Sequence, residues 1–233
     1  MNVETALKRI QEIEGIPLGK LFSDITRTEV SHGHINKGYA GQILELVIGL
    51  DLSVSLNDLT DGEIKTTILR NNRTREWIPI TVLNHLLDEM VNNLPWEQTK
   101  VYKKIRHFIL VPCHKDSKNW QEWHFAAPIR VSAETDSVLN SKFKEDYEYI
   151  ASQIQMIIST GQLLHTTSGP NYFLQIRTKD NPPYRPFLYE GKVIGNKKYA
   201  IGLTTRFVRD LVNEHRGTQN PKRPRKTGQT RRK

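Results

Sequence analysis

The chain has few cysteines and no long apolar runs. Its single cysteine, Cys113, excludes an internal disulfide and any zinc site built on several cysteines. No apolar run reaches the length needed to span a bilayer, since the best candidate, residues 44–52, contains charges and a glycine. Glycine-rich phosphate-binding and dinucleotide-binding fingerprints are absent as well. We therefore expect a cytoplasmic protein with no membrane partner and no nucleotide cofactor.

Acidic residues are missing from the last part of the sequence. Residues 216–233 carry eight lysines and arginines and no acid. Removing those eight charges from the net charge of +9 leaves about +1 for residues 1–215. Such a segment is typical of a disordered extension that attracts polyanions through counterion release. We predict one folded domain over residues 1–215 and a disordered basic tail over residues 216–233.

Helical and extended patterns follow one another throughout the predicted domain. Apolar spacing predicts helices at residues 3–13, 38–49, 84–93, 144–159 and 204–215. Extended patterns predict strands at residues 62–69, 77–83, 105–112, 123–132 and 172–177. The run at 105–112 is apolar without interruption, which indicates a strand buried on both faces. The mixture predicts an α/β or α+β fold with one central mixed sheet flanked by helices.

One segment places an acid ahead of a Glu-x-Lys triplet, between Asp58 and Lys65. Side chains alternate along a strand, so Glu63 and Lys65 point to one face while the apolar residue between them points to the other. A turn at Asp61-Gly62 would bring Asp58 alongside them. Two carboxylates and an ammonium group on one face suit a hard divalent cation and a polarised water. The pattern favours hydrolysis of a phosphodiester.

Short charged patterns at strand starts are common, and most are solvated faces, so the pattern needs support from its surroundings. Strand character continues through residues 66–68, and Glu45 lies on the preceding predicted helix, where it could face the same cleft. Lys103, Lys104 and Arg106 lie where the apolar run begins. These features together favour a functional site.

Other metal-ligand and nucleophile types in the sequence lack a supporting pattern. His32 and His34 have no matching carboxylate or cysteine motif, so a loop near DNA is the better interpretation. His114 and His124 show no ligand spacing. Cys113 follows the apolar run and is interpreted as a buried thiol, not a nucleophile.

Three segments, in this order, resemble one enzyme family. KGYAGQILE at residues 37–45 resembles the family's K-G-x-x-G-x-x-L-E helix, GEIKT at 62–66 resembles its G-V-E-L-K-T strand, and YFLQIRTK at 172–179 resembles its Y-L-Q-I-R-P-K segment. The family is that of MutH, the mismatch-repair endonuclease, and of the related type II restriction endonucleases that cleave at GATC. Order and spacing agree over residues 15–215.

The resemblance implies a restriction-endonuclease-like fold and Mg²⁺-dependent hydrolysis of DNA. Glu63 and Lys65 match the catalytic Glu-x-Lys of the family. Glu45 matches its active-site helix glutamate, and Lys104 falls where the family has an active-site lysine. Asp58 and Glu63, with the carbonyl of Ile64, would hold one or two Mg²⁺ ions through oxygen ligands.

The resemblance also implies a DNA-contacting set. Arg177 and Lys179 match the pair that approaches the bases of the recognition sequence. Thr178 between them, and Lys103 beside the predicted catalytic lysine, complete the set. Arginine suits bidentate contact with a guanine edge, although a phosphate contact or a surface ion pair is an alternative role for Arg177.

The sequence departs from the family at two positions. The family aspartate stands seven residues before the glutamate, where this chain has Leu56. Asp58 is preferred to Asp61 as the replacement, since related restriction enzymes use the tighter Asp-x-x-x-x-Glu-x-Lys spacing. The tyrosine that MutH uses in sensing adenine methylation is replaced near Gly202, with Tyr199 close by.

These observations predict a sequence-specific type II restriction endonuclease of bacterial or phage origin, with GATC as its first expected site. A MutH-type repair endonuclease that nicks the unmethylated strand is the alternative, and we favour restriction because of the two departures and the basic tail. A non-catalytic DNA-binding protein, or a structural or RNA-binding protein using the tail, represents other classes. A homodimer on a palindromic site is one expected assembly.

Overall fold

The computed structural model describes residues 1–23, 39–50, 58–179 and 182–219. The helices within these ranges are α1 (Val3–Glu12), α2 (Leu18–Ser23), α3 (Tyr39–Val47), α4 (Leu87–Val91), α5 (Lys100–Ile105), α6 (Ser137–Thr160) and α7 (Thr205–Gln219). The strands are β1 (Glu63–Leu69), β2 (Ile78–Val82), β3 (His107–His114), β4 (His124–Phe125), β5 (Ile129–Ser132), β6 (Thr167–Ser168), β7 (Leu174–Thr178), β8 (Phe187–Tyr189), β9 (Lys192–Gly195) and β10 (Tyr199–Leu203).

The first sheet is mixed and is built around β3. Strand β1 pairs with β3 in parallel, with Glu63 opposite Phe108, while β4 and β5 pair with β3 antiparallel. Phe108 and Leu110 enter one core and Ile109 and Val111 enter another, so β3 is buried on both faces, as predicted.

The second sheet is antiparallel, in the order β2-β10-β7-β6, and β8 and β9 form a separate hairpin. The prediction of one central mixed sheet is therefore wrong, although the α+β class is observed. The reason lies after β1, where a turn between Arg70 and Arg73 redirects the chain and β2 pairs with β10 instead of β1.

Two apolar cores hold these layers together. The larger core joins both sheets to α6, with Leu110, Ile154 and Ile201 among its fully buried members. The smaller core packs α1 and α3 on the other face of the first sheet, through residues such as Ile10 and Ile43. The close packing of the larger core holds the two sheets in a fixed position relative to each other.

A buried carboxylate anchors the start of β7. Asp146 on α6 is fully buried and accepts hydrogen bonds from the backbone N–H groups of Asn171 (2.7 Å), Phe173 (2.7 Å) and Leu174 (2.8 Å). A Cβ at Gly169 would overlap this carboxylate, so only glycine fits there. Asp146 thereby fixes the position at which β7 begins.

Most predicted elements are confirmed, with changes at their ends. Helix α6 begins at Ser137 instead of residue 144, because the Asp136 carboxylate caps it by accepting from the backbone N–H of Leu139 (3.0 Å). The strand predicted at 123–132 is two strands, separated at Pro128. Lys103 and Lys104 lie on helix α5, whose N-cap is Thr99.

Disorder is predicted from residue 216, whereas residues 216–219 belong to helix α7. Helix α7 continues to Gln219, and the Arg216 guanidinium donates to the carbonyl of Asn72 (2.9 Å), which ties its last turn to the turn after β1. Residues 220–233 lie outside the described ranges, as do His32, His34 and Leu56. No described helix has the length and apolar character of a bilayer span.

Candidate active site

Asp58, Glu63 and Lys65 meet at the start of β1. The Lys65 ammonium lies 2.5 Å from Glu63 Oε1 and 3.8 Å from Asp58 Oδ2, so one positive charge stands between two carboxylates. Asp58 is fixed by the backbone, because its Oδ2 accepts from the N–H of Ile64 (3.0 Å) and its own N–H donates to Glu63 Oε2 (3.3 Å). The tight spacing between Asp58 and Glu63 thus places both acids at one site.

A second lysine reaches the same carboxylate from helix α5. Lys104 Nζ lies 3.1 Å from Glu63 Oε1, and the glutamate is only 2% exposed. A buried carboxylate requires such partners, because an unpaired charge in the interior is strongly destabilising. Lys104, predicted to be catalytic, is therefore next to the Glu-x-Lys pair, while its neighbour Lys103 is exposed on the same helix.

Glu45 faces the same site from helix α3. The helix approaches β1 closely, since a Cβ added at Gly41 would lie 3.6 Å from Thr66 Oγ1. Burial raises the pKa of the Glu45 carboxyl, the nearby Asp58 raises this pKa further, and Lys65 opposes the shift. These interactions show that Glu45 belongs to the electrostatic environment of the acid-lysine cluster.

Asp61, the alternative to Asp58, has a different position. Its Oδ1 accepts from the backbone N–H of Val3 (2.8 Å), which ties the loop before β1 to the start of α1. Asp61 is therefore engaged in packing between two elements, whereas Asp58 lies with the glutamate.

The donors present fit a Mg²⁺ ion. Two carboxylates, Asp58 and Glu63, already converge on the positive charge of Lys65. No group of three or more His, Cys, Asp or Glu side chains in the described ranges forms a metal cluster by itself. Mg²⁺ keeps several waters and binds through one or two carboxylates, so two carboxylates are sufficient.

A cleft of about 860 Å³ extends from this cluster to the second sheet. Glu45 and Lys65 line one end, and Arg177, Thr178 and Lys179 at the end of β7 also line it. The structure therefore brings Glu45 and Lys65 of the predicted catalytic set to one cavity with the three predicted DNA-contacting residues at the end of β7. Lys103 and Lys104 are not among the described residues that line it.

Trp77 and Gly202 form a contact beneath Arg177 that the sequence did not reveal. A Cβ at Gly202 would overlap the Trp77 ring and the carbonyl oxygen of Ile78, so the indole occupies the space of a side chain at 202. The Arg177 guanidinium lies over the same ring, 5.6 Å from its centroid. Tyr199 is instead a buried core residue whose hydroxyl donates to the carbonyl of Leu164 (2.7 Å).

Cys113 and Lys115 also line the cleft. Cys113 is fully buried, as predicted, and burial raises the pKa of its thiol to about 11. Lys115 is only 6% exposed, and its ammonium lies over the Trp123 ring, 4.3 Å from the centroid. A buried lysine is unusual, and no spacing in the sequence distinguished it from an exposed one.

The chain has no significant match to a protein-family model or to a curated protein.

Proposed function

We propose that the protein is a Mg²⁺-dependent endonuclease that hydrolyses phosphodiester bonds of double-stranded DNA, acting as a sequence-specific type II restriction enzyme. The observation that carries this proposal is the cluster of Asp58, Glu63, Lys65 and Lys104, whose Lys65 lines the same cleft as Arg177. The acids suit a hard cation, and the lysines suit a phosphate. GATC is the first sequence to test, on the resemblance of the three motifs.

The chemistry divides between the ion and the side chains. Bound Mg²⁺ would polarise the scissile phosphate and lower the pKa of a water. Asp58, Glu63 and the carbonyl of Ile64 would hold it. The Lys65 ammonium, fixed by its 2.5 Å contact with Glu63, would orient the attacking water and stabilise the negative charge that develops on the phosphate oxygens.

Lys104 and Glu45 would support that geometry. Lys104 Nζ shares Glu63 Oε1 with Lys65, so it limits the positions that the glutamate can adopt and leaves a second ammonium near the phosphate. Glu45 would balance charge at the cluster, since its pKa responds to both Asp58 and Lys65. Arg177 and Lys179 would contact the bases and backbone in the other part of the cleft.

Cleavage of plasmid DNA with Mg²⁺ tests the proposal. We expect linear product from unmethylated DNA, and a loss of at least about 100-fold in rate for Lys65→Ala, as when one charge-stabilising donor is removed. Lys192→Ala, at an exposed position on β9, is the matched control and should cleave like the wild type. Equal rates for Lys65→Ala and the control would show that the cluster is not the catalytic site.

The products also separate the alternatives. Open-circle product that depends on hemimethylated DNA and a partner protein would favour the repair enzyme. Binding without cleavage at any Mg²⁺ concentration would favour a non-catalytic DNA-binding protein.

A further inference from the structure

A tight turn after β1 places two arginines opposite each other. Arg70 and Arg73 exchange both backbone hydrogen bonds at 3.0 Å, and the central Asn71 and Asn72 both have positive φ, 49° and 61°. This is a type I′ hairpin turn. A pair that exchanges both hydrogen bonds lies directly opposite across the hairpin, so the two side chains project from the same face.

Like charges directly opposite each other destabilise a hairpin. Arg75 adds a third exposed guanidinium two residues beyond Arg73, while Thr74 between them is buried. None of the three arginines forms a salt bridge with a carboxylate of the described residues. The Asp116 carboxylate lies at the hairpin tip, where its Oδ1 accepts from the backbone N–H of Asn71 (2.6 Å), so it binds the backbone and not a guanidinium group. A local arrangement that opposes folding is expected where function requires it.

The three arginines line a second cavity of about 590 Å³. Glu76 is the only acid among its described lining residues, and its Oε2 is held by the backbone N–H of Ile68 (3.1 Å). Ile68, Arg75 and Glu76 line the large cleft as well, so the arginine cavity continues the cleft away from the acid-lysine cluster.

Further basic groups lie near this cavity. Lys115 lines the adjoining cleft, and burial lowers the pKa of its ammonium, a shift to which the nearby Arg70 adds. Arg216, at the end of α7, contacts the hairpin tip through the carbonyl of Asn72. Seven more lysines and arginines follow Arg216 in the sequence, within residues 222–233. The hairpin, Lys115 and Arg216 therefore bring basic groups from three parts of the described chain to one end of the cleft.

We infer that Arg70, Arg73 and Arg75 form a phosphate-contacting surface for the DNA backbone that flanks the bases in the cleft. The inference rests on the proposed function, because the cleft determines that the polyanion is duplex DNA. Guanidinium groups pair bidentately with phosphate oxygens, and successive phosphates of a strand would neutralise the opposed arginines. The surface would add affinity without reading sequence.

Salt dependence of DNA binding tests this surface in the full-length protein. Binding of a long duplex is measured without Mg²⁺, so that no cleavage occurs, for the wild type and for the triple variant Arg70→Gln, Arg73→Gln and Arg75→Gln. We expect the slope of log K against log salt to fall by about 0.9 for each lost phosphate contact, about 2.7 in all. Unfolding is followed in parallel, and the triple variant should keep or raise its Tm because the repulsion is removed.

A matched variant removes the same charge elsewhere. Arg130, Arg206 and Arg209 are exposed and each has a carboxylate partner, Glu4 for the first and Asp210 for the other two. Their replacement by glutamine should leave the slope unchanged. Equal slopes for the wild type and the hairpin variant, or equal losses for both triple variants, would overturn the inference.

Two further outcomes separate this surface from the proposed function. A hairpin-dependent slope in a protein that never cleaves DNA would leave the surface in place and refute the nuclease. A larger hairpin-dependent slope on single-stranded RNA of equal length than on duplex DNA would overturn the assignment to DNA.

Discussion

At the residue scale, the buried Glu63 carboxylate determines the electrostatics of the site. It has two ammonium partners, at 2.5 Å and 3.1 Å, and almost no contact with solvent. Removing Lys65 leaves this charge with Lys104 as its partner, so the Lys65→Ala variant retains some compensation. The cleavage test on that variant therefore reports chemistry, provided that its unfolding is measured beside it.

Glu45 provides a pH-dependent prediction. Because burial and Asp58 raise its pKa above the ordinary value of 4.5, the ionised carboxylate destabilises the fold. The fold is therefore most stable at low pH, where Glu45 is protonated, and it loses this stability as the pH rises through the raised pKa of Glu45. Glu45→Gln should therefore raise the Tm at about pH 8 in the absence of metal, and have little effect at about pH 4.

Thermal unfolding in EDTA measures the effect, with Glu12→Gln on the exposed side of α1 as the control. A Tm gain for Glu45→Gln that is equal at both pH values would contradict the raised pKa. Addition of Mg²⁺ should then stabilise the wild type more than the variant, since an ion near Asp58 and Glu63 favours the ionised Glu45.

At the element scale, the sequence predicted what depends on local pattern. Segments β1 and β3 are strands, as predicted. The alternation in β1 and the continuous apolar run in β3 are local patterns that reflect which faces of each strand are buried. The pairing of β2 with β10 depends on residues more than a hundred positions apart, and no local pattern contains it. The hairpin β8–β9 is short and was missed.

In the candidate site, too, some features follow from local sequence and others depend on the order of strands in the sheet. Glu63 and Lys65 share a face because a strand has a period of two, which is a local property. Trp77 lies under Arg177 only because β2 and β7 both pair with β10, so that contact depends on the sheet order. Asp58 could be preferred to Asp61 by spacing, but its position required the backbone bonds around Ile64.

Asp146 provides a stability prediction for the element that carries Arg177. Asp146→Ala leaves three backbone N–H groups without their acceptor, including that of the buried Leu174, so we expect a loss of about 3–5 kcal/mol in the free energy of unfolding. Urea denaturation measures it. Glu148→Ala, on the exposed side of the same helix, should change stability by no more than about 0.5 kcal/mol.

At the scale of the whole molecule, helix α7, which precedes the basic residues 222–233 in the sequence, contacts the hairpin after β1 through Arg216. Truncation after Gln219 removes seven basic residues and keeps helix α7 whole. We expect weaker and less salt-sensitive DNA binding with sequence preference retained. The slope should fall by up to about 6 if every tail charge meets a phosphate.

Truncation after residue 215 is the informative comparison. It also removes the last turn of α7 and the hydrogen bond from Arg216 to Asn72, so its Tm should fall below that of the shorter truncation. Identical Tm values for the two truncations would show that this bond does not stabilise the domain. Loss of all sequence preference in either would count against recognition through the cleft.

The arrangement of two sheets has a consequence for how such a protein can change. Glu63 and Lys65 stand on β1 of the first sheet, with Asp58 just before it, while Arg177 and Lys179 stand on or just after β7 of the second. Under the proposed function, substitutions at the exposed end of β7 would alter the contacted base edges without moving β1, because the shared core between them holds both strands. New target sequences would then be accessible to selection or engineering while Glu63 and Lys65 stay as they are.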